Sequence, residues 1–225
     1  MKYFDFHSHI LPGVDHGSDS LETSLTQLKL AKEAGVAAIH ASSHFYPHMH
    51  NVESFLKKRQ SAYEQLMDAT SEDSPQILLG AEVLLCEGLE RLPGIKELCI
   101  ANTNTMLLEL PFTEIKRSYI ETVENLLADG INIVLAHADR YSREDVERFL
   151  LEGASIQLNA SALSGFLIPK AAKAWIAKDS LVVALGSDIH GADASAYKKF
   201  TRAIAKLGKN AETIMNASKT ILNYE

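Results

Sequence analysis

The chain has 225 residues, 46% of them hydrophobic and 23% charged, with a formal net charge of −7. That is enough for a full core, most simply as one domain over 1–225, and it excludes a largely disordered chain. The acidic balance argues against a nucleic-acid binder, which needs a basic face, and no apolar run approaches the ~20 residues that span a bilayer. Cys86 and Cys99 form no CxxC pair and no secretory leader opens the sequence. Reduced thiols, a cytoplasmic location and no membrane insertion are therefore expected.

An apolar strand is expected over 2–7, ending in His7-Ser8-His9 and running into a Pro-Gly loop that carries Asp15 and His16. Two imidazoles two residues apart on a strand point to one face. A helix over 20–34, with Leu21, Leu25 and Leu28 on one face, passes through Gly35 to a strand over 36–42. A helix over 51–69 and the loop TSEDSP at 70–75 precede a third strand over 76–83. The stretch 86–103 has the weakest pattern, a short helix and a turn. Then follow a strand over 104–110, a helix over 114–128 with Ile120, Val123 and Leu127 on one face, and a strand over 131–137. A helix over 143–151, a strand over 154–159, a helix over 168–178 and a strand over 181–187 continue the alternation. Helices over 192–207 and 210–218 complete it.

The helix–glycine–strand unit recurs at Gly35, Gly130 and Gly153, and Asp179-Ser180 takes the same place before the last strand. Glycine suits that place because it enters the left-handed region without a Cβ clash. Short, nearly continuous apolar strands suit a parallel sheet buried on both faces. The alternation predicts βα units, in either a doubly wound sheet or a closed barrel.

Six of the seven expected strands end in a metal-binding or acid/base side chain. His7, His9, Asp15 and His16 follow the first, His44 the second, Glu82 the third, Glu109 the fourth and His137 the fifth; Asp188 and His190 follow the seventh. The sixth offers only Asn159. A doubly wound sheet binds ligands at one switch point, whereas a barrel makes the ends of all its strands converge. The pattern therefore favours a barrel. Glu82 and Glu109 lie in apolar runs, where a carboxylate needs a partner. An oxygen-and-imidazole set without thiolate suits Mn²⁺, Fe²⁺ or Zn²⁺, and there are too many ligands for a single tetrahedral ion. Two or three ions sharing carboxylates would use them; three divalent ions would outweigh the −3 of Glu82, Glu109 and Asp188, or −4 with Asp15, and attract an anion such as phosphate. Arg140, three residues after His137, would point a guanidinium at the same mouth, or else pair with Glu144. His40 reads as structural, His48 and His50 as loop histidines, and Trp175 as core. No Cys-x5-Arg loop is present, which excludes the cysteine phosphoenzyme route.

The stretches DFHSHILPGVDHG, SSHF, GAEV, LLELPF, LAHADRY and GSDIHG resemble, in order, the motifs of the PHP (polymerase and histidinol phosphatase) superfamily. They are closest to its bacterial tyrosine-protein phosphatase branch, tied to capsule and exopolysaccharide synthesis. The resemblance implies a distorted (β/α)7 TIM-like barrel with a trinuclear, typically manganese centre, iron or zinc being alternatives. It implies one ion on His7, His9, Glu82 and Asp188, a second on Glu82, Glu109 and His137, and a third on His44, His190 and an acidic first-loop position. It further implies phosphomonoester hydrolysis by water activated at the metal. Arg140 would hold the phosphoryl group, and His44 or Asp188 would assist the leaving group. The substrate would be a phosphotyrosine protein, the tail of a membrane-bound tyrosine kinase. Two places depart from the family pattern. Where the family reads Asp-Asp-Gly, this chain has Asp15-His16-Gly17, so His16 replaces the carboxylate or Asp15 turns in; His16 is preferred. Beyond Asp188-x-His190, where an arginine is usual, stand Ser195, Lys198, Lys199 and Arg202. The rival readings are a PHP phosphoesterase for histidinol phosphate or nucleotide ends, an amidohydrolase-type barrel, which Glu82 and Glu109 fit poorly, and a non-catalytic metal-binding barrel.

Overall fold

The computed structural model describes residues 1–178 and 180–225. Asp179, half of the expected Asp179-Ser180 junction, lies outside the described residues. In chain order the elements are β1 (Tyr3–Ser8), α1 (Leu21–Glu33), β2 (Val36–Ala41), β3 (His44–Phe45), α2 (Val52–Asp68), β4 (Gln76–Leu79), β5 (Glu82–Leu84), β6 (Thr105–Glu109), α3 (Arg117–Ala128), β7 (Asn132–Leu135), α4 (Arg143–Leu151), β8 (Ser155–Asn159), α5 (Ala160–Ser164), α6 (Lys170–Ile176), β9 (Val182–Gly186), α7 (Ala194–Leu207) and α8 (Lys209–Ile221). Helix starts follow local chemistry. Ser20, Asn51, Ser142 and Asp193 accept backbone N–H groups of the first turns of α1, α2, α4 and α7. After α1, α3 and α4 the expected glycines adopt φ of +80°, +81° and +106°, and Ser180 takes φ +68° before β9.

All strand pairs are parallel, in two sheets ordered β1-β2-β4 and β3-β5-β6-β7-β8-β9. Because β2 runs on into β3 and β4 into β5, the two sheets form one ring of seven staves, a distorted TIM-like barrel. The third expected strand is thus broken in two, and β3 continues the second beyond its expected end at 42. At the break between β4 and β5, a Cβ on Gly80 would sit 2.1 Å from His40 Nε2, so the chain passes that ring only because residue 80 has no side chain. Gly80 N–H donates to the Ala41 carbonyl and Glu82 N–H to that of Ser43, both at 3.1 Å, carrying the register across the gap.

The barrel is not closed by a continuous ladder. Between β9 and β1 there is one isolated bridge, Ser8 to Ile189, among the described residues. Side chains complete this seam. Fully buried Asp5 accepts the Ser187 N–H through Oδ1 at 2.8 Å and the Tyr197 hydroxyl of α7 through Oδ2 at 2.8 Å. Asp188 N–H donates to the His7 carbonyl at 2.8 Å.

The segment 86–103 holds two short 3₁₀ turns, Leu89–Arg91 and Ile95–Leu98. Helix α5 was not expected, since five residues are too few to show a period. Trp175, Phe6, Phe45, Phe149 and Phe200 are among the largest fully buried side chains. Cys86 and Cys99 are free thiols. No described helix is long and apolar enough to cross a membrane. Trp175→Ala should lower the unfolding free energy by about 3–5 kcal/mol. Leu151→Ala, at an 85% exposed position, should stay within about 0.5 kcal/mol. Urea titration of both variants checks the contrast.

Candidate metal centre

The strand ends converge on Glu82. Its side chain is 1% exposed, and Oε2 lies 3.1 Å from His7 Nε2, 3.3 Å from His9 Nε2 and 3.0 Å from His44 Nδ1. Its other oxygen, Oε1, meets His137 Nε2 at 2.8 Å. Glu109 approaches from the next stave, 3.7 Å from His137 Nε2 and 3.9 Å from His44 Nδ1. Asp188 Oδ1 stands 3.6 Å from His7 Nε2 and 3.4 Å from His9 Nε2. Three sets of donor atoms are close enough to share an ion: His7, His9 and Asp188; His44, Glu82 and Glu109; and His9, His44 and His190.

The hydrogen bonds behind the histidines decide which nitrogens face inward. Gln157 Oε1 accepts the His137 backbone N–H at 2.6 Å and lies 3.1 Å from His7 Nδ1. That nitrogen must therefore carry a proton. Asp15 Oδ2 lies 2.9 Å from His9 Nδ1 and accepts the His44 backbone N–H at 2.9 Å, which sets His9 the same way. In neutral rings both Nε2 atoms are then bare lone pairs, 3.1 Å apart, and both face a carboxylate oxygen. Such a group repels itself unless a cation, proton or metal, lies within it. Ligand atoms on adjacent corners of an ion at ~2.1 Å stand about 3 Å apart, which is the spacing here. Glu82 Oε2 and His44 Nδ1 are also buried without a hydrogen-bond partner. The donor set fits a divalent-metal centre.

Two of its residues hold left-handed backbone, His137 at φ +32° and Asp188 at φ +51°. Non-glycine residues there are uncommon and cluster at functional sites. Gly186 packs beneath: a Cβ on it would lie 2.5 Å from both His7 Cβ and Gln157 Nε2.

Electrostatics follows the same crowding. Burial, then the neighbouring Glu82, pushes Glu109 up to about 7. Burial would keep His7 neutral, but Glu82 and Asp188 raise it; His9 is raised against burial by Asp15, Asp188 and Glu82. Burial opposes the ionisation of Asp188, yet His7, His9 and Arg140 hold it well below the usual carboxylate range. Asp15 is held low too, burial being outweighed by His9 and by the backbone N–H groups of Gly17 and His44.

A family model described as "Capsular polysaccharide synthesis, CpsB/CapC" matches residues 3–223. The chain belongs to the CpsB/CapC family. It is 28% identical over 241 residues to the tyrosine-protein phosphatase CpsB of Streptococcus agalactiae, covering 98% of each chain. It is 28% identical over 202 residues to the tyrosine-protein phosphatase YwqE of Bacillus subtilis, covering 83% of this chain and 76% of that one. The fold matches, at a TM-score of 0.80 and 22% identity over 99% of this chain and 95% of that one, the crystal structures of YwqE from Bacillus subtilis and CpsB from Streptococcus pneumoniae, described as unique metal-dependent tyrosine phosphatases.

Within this CpsB/CapC barrel, His7, His9, His44, Glu82, Glu109, His137 and Asp188 face one another, and His190 and His16 stand at the rim. The His16 ring lies 4.8 Å from both His44 and His190. Asp15 takes a different place. Its Oδ2 is occupied as above and its Oδ1 accepts the Gly17 N–H at 2.8 Å. Arg140 Nη2 donates to Asp188 Oδ2, the partner being Asp188 rather than Glu144. Lys199 pairs with Asp193 at 3.8 Å and Lys198 lines a cavity with Leu30, Glu33 and Ala34, so neither is turned to the centre; Arg202 is exposed on α7. His40 Nδ1 donates to the Phe6 carbonyl at 2.9 Å and His50 Nδ1 accepts the Tyr46 N–H at 3.0 Å, while His48 is exposed. Sequence reasoning missed Gln157. Its only signal was a polar residue within an otherwise apolar strand. Tyr141 and Tyr46, whose rings lie 5.7 Å from His137 and 5.1 Å from His44, were missed as well.

Two expectations follow. Gln157→Leu leaves His7 Nδ1 and the His137 N–H unpartnered, and should weaken divalent-ion affinity about 10–100-fold in a folded protein; equilibrium dialysis with Mn²⁺ reads this. Metal must also displace the protons that Glu109, His7 and His9 hold near neutrality. Apparent affinity should therefore rise with pH between about 6 and 8, with proton release seen by calorimetry in buffers of different ionisation enthalpy.

Proposed function

We propose that this chain is a metal-dependent phosphomonoesterase that hydrolyses phosphotyrosine in a protein substrate, within one barrel domain covering 1–225. The observation that carries the reading is the meeting of Glu82 Oε2 with three imidazole nitrogens at 3.0–3.3 Å, with a guanidinium held at its edge. His7, His9, Glu82 and Asp188 would hold one divalent ion, Glu82, Glu109 and His137 a second, and His44, His190 and His16 a third, with manganese as the resident metal. Bound there, divalent ions supply a water of lowered pKa and charge stabilisation for phosphoryl oxygens.

The protein's own groups set the rest. Asp188 turns Oδ1 to the histidines and Oδ2 to Arg140 and to Asn159 Nδ2, at 2.9 Å from the amide. Arg140 is thereby tied at one nitrogen while its side chain stays 44% exposed, leaving N–H groups for a phosphoryl oxygen. Asp188 stays ionised, so it has no proton to give a leaving group; His44, holding the third ion with one nitrogen and facing Glu82 with Nδ1, has none free either, so that task would fall to solvent. Tyr141 donates its hydroxyl to the Leu110 carbonyl at 2.8 Å, which fixes its ring. Against it, 5.3 Å away, lies Phe112, 72% exposed. These rings form an apolar wall beside His137 suited to an aryl leaving group. Asp15 orients His9 rather than binding metal. The tail of a membrane-bound tyrosine kinase of capsule synthesis, met in the cytoplasm, is the proposed substrate.

Metal content measured together with turnover on a phosphotyrosine peptide, histidinol phosphate and short oligonucleotides tests the reading. Turnover should be confined to the peptide, and His7→Ala should lose metal and at least about 100-fold in rate. An active His7→Ala protein with unchanged metal would overturn the site; preference for histidinol phosphate or oligonucleotide would overturn the substrate. Arg140→Lys, which keeps the charge and loses the planar fork, should cost about 100-fold in kcat/KM.

A further inference from the structure

A second His-x-His pair, His48 and His50, stands outside the metal centre: among the described residues, no group of donor atoms close enough to share an ion includes either ring. Both lie in the loop after β3, on the barrel face where the strands end and the centre lies. The loop is held by its own hydrogen bonds. Met49 and His50 donate their backbone N–H groups to the Tyr46 carbonyl at 2.9 Å, and the Tyr46 N–H donates to His50 Nδ1 at 3.0 Å. The segment after β5 turns beside it through Leu92, Pro93 and Gly94. Gly94 has φ +79°, and a Cβ on it would lie 3.1 Å from Val52 Cγ1 at the start of α2, so this turn packs directly on the helix. Pro47, Met49, Val52, Leu92 and Pro93, with His48 and Glu53, line a cavity of about 450 Å³.

The chemistry of that wall suits an aliphatic side chain. Met49 is 69% exposed, and an exposed thioether beside proline and leucine adapts to the apolar shape it meets. The fixed charge on the wall is Glu53, which repels a polyanion such as an oligonucleotide. Tyr46 joins the cavity to the metal centre. Its ring stacks on that of His44 at 5.1 Å and meets those of His48 and His50 at 6.0 Å and 5.8 Å. An extended peptide advances about 3.3 Å per residue, so a chain with its phosphotyrosine at the centre reaches the cavity within about three residues.

We propose that this cavity is a substrate subsite, which takes an aliphatic side chain up to about three residues from the phosphotyrosine and so favours a protein segment over small phosphoesters. The inference rests on the phosphatase reading above and concerns how that site chooses its substrate. The hydrogen-bonded loop and the packed turn at Gly94 stand in place before a peptide arrives, so little ordering opposes binding. The contact lies away from the reacting atoms and is made alike in the ground and transition states. It therefore lowers KM and leaves kcat unchanged.

The test gives the metal-loaded full chain a set of glycine–serine peptides with a central phosphotyrosine, a single leucine being moved through the three positions on each side. Leucine at one of these positions should lower KM about tenfold against the leucine-free peptide, with kcat unchanged. In Met49→Asp, and separately in Leu92→Asp, that gain should vanish, while kcat/KM for the leucine-free peptide and for free phosphotyrosine keeps its wild-type value. Met49 is exposed and Leu92 partly so, and circular dichroism verifies that both variants fold. Fluorescence polarisation of the labelled peptides reads binding independently of turnover. KM and affinity indifferent to leucine at every position, or a gain that survives both substitutions, sinks the proposal. So does a wild-type dimer that either substitution splits in sedimentation, which would give the cavity to a second copy of the chain. The two failures separate cleanly. Turnover without leucine dependence loses only the subsite, whereas leucine-dependent binding without turnover of any phosphotyrosine loses the phosphatase reading and keeps the cavity as a peptide site.

Discussion

The structure is arranged around one carboxylate that has no room to be alone. Glu82 is buried, and its two oxygens face four imidazoles within 3.3 Å. Without a cation among them, the bare Nε2 lone pairs of neutral His7 and His9 repel the carboxylate oxygen they face; with every ring protonated, the imidazolium groups repel one another instead. Burial raises the cost of either arrangement, because a low-dielectric site screens little. A divalent ion resolves the conflict with the atoms where they stand. That constraint explains why the site sits at the strand ends, where side chains from separate staves can be aimed at one point.

Holding those side chains still is the work of groups that never need to touch an ion. Gln157 fixes His7 and the His137 backbone together, and Asp15 fixes His9 and the His44 backbone. Asp188 links the histidine pair to Arg140. Beneath them, Asp5 joins β1 to the turn after β9 and to α7 across the one seam where the strands share no ladder. The open seam and the crowded centre are adjacent: the residues that close the barrel at Ser187 lead straight into Asp188 and His190.

Much of this was legible in the chain. The helix–glycine–strand units stand where hydrophobic period and turn chemistry put them, with α4 at its expected bounds and most other ends shifted by one to three residues, as for α1, α2 and α8. The break in the third strand was not legible, because it falls at Gly80, where the chain passes against His40, forty residues away; the short β3 beyond the second strand was not legible either, being two residues long. The short helix α5 left no trace either, being one turn long. At the site, histidines and carboxylates at strand ends announced themselves, since a Glu in an apolar run demands a partner. Gln157 did not, because an amide in a strand has many ordinary uses. The family model over 3–223 agrees with the resemblance those strand ends carry.

By itself, then, the sequence determined the βα alternation, the parallel strands and the pool of donor residues. These depend on local periodicity and on the chemistry of single side chains. Tertiary structure alone decided what each donor does. His16 and Asp15 are neighbours in the chain with equal claims on paper. Their roles diverge because His44 presents a backbone N–H that takes Asp15, while His44 and His190 present rings that His16 joins. The same holds for Arg140, whose partner is the residue the barrel brings beside it rather than the one four positions along. Spacing along a chain says which groups are available; only the closing of the ring sets the distances on which charge and coordination depend.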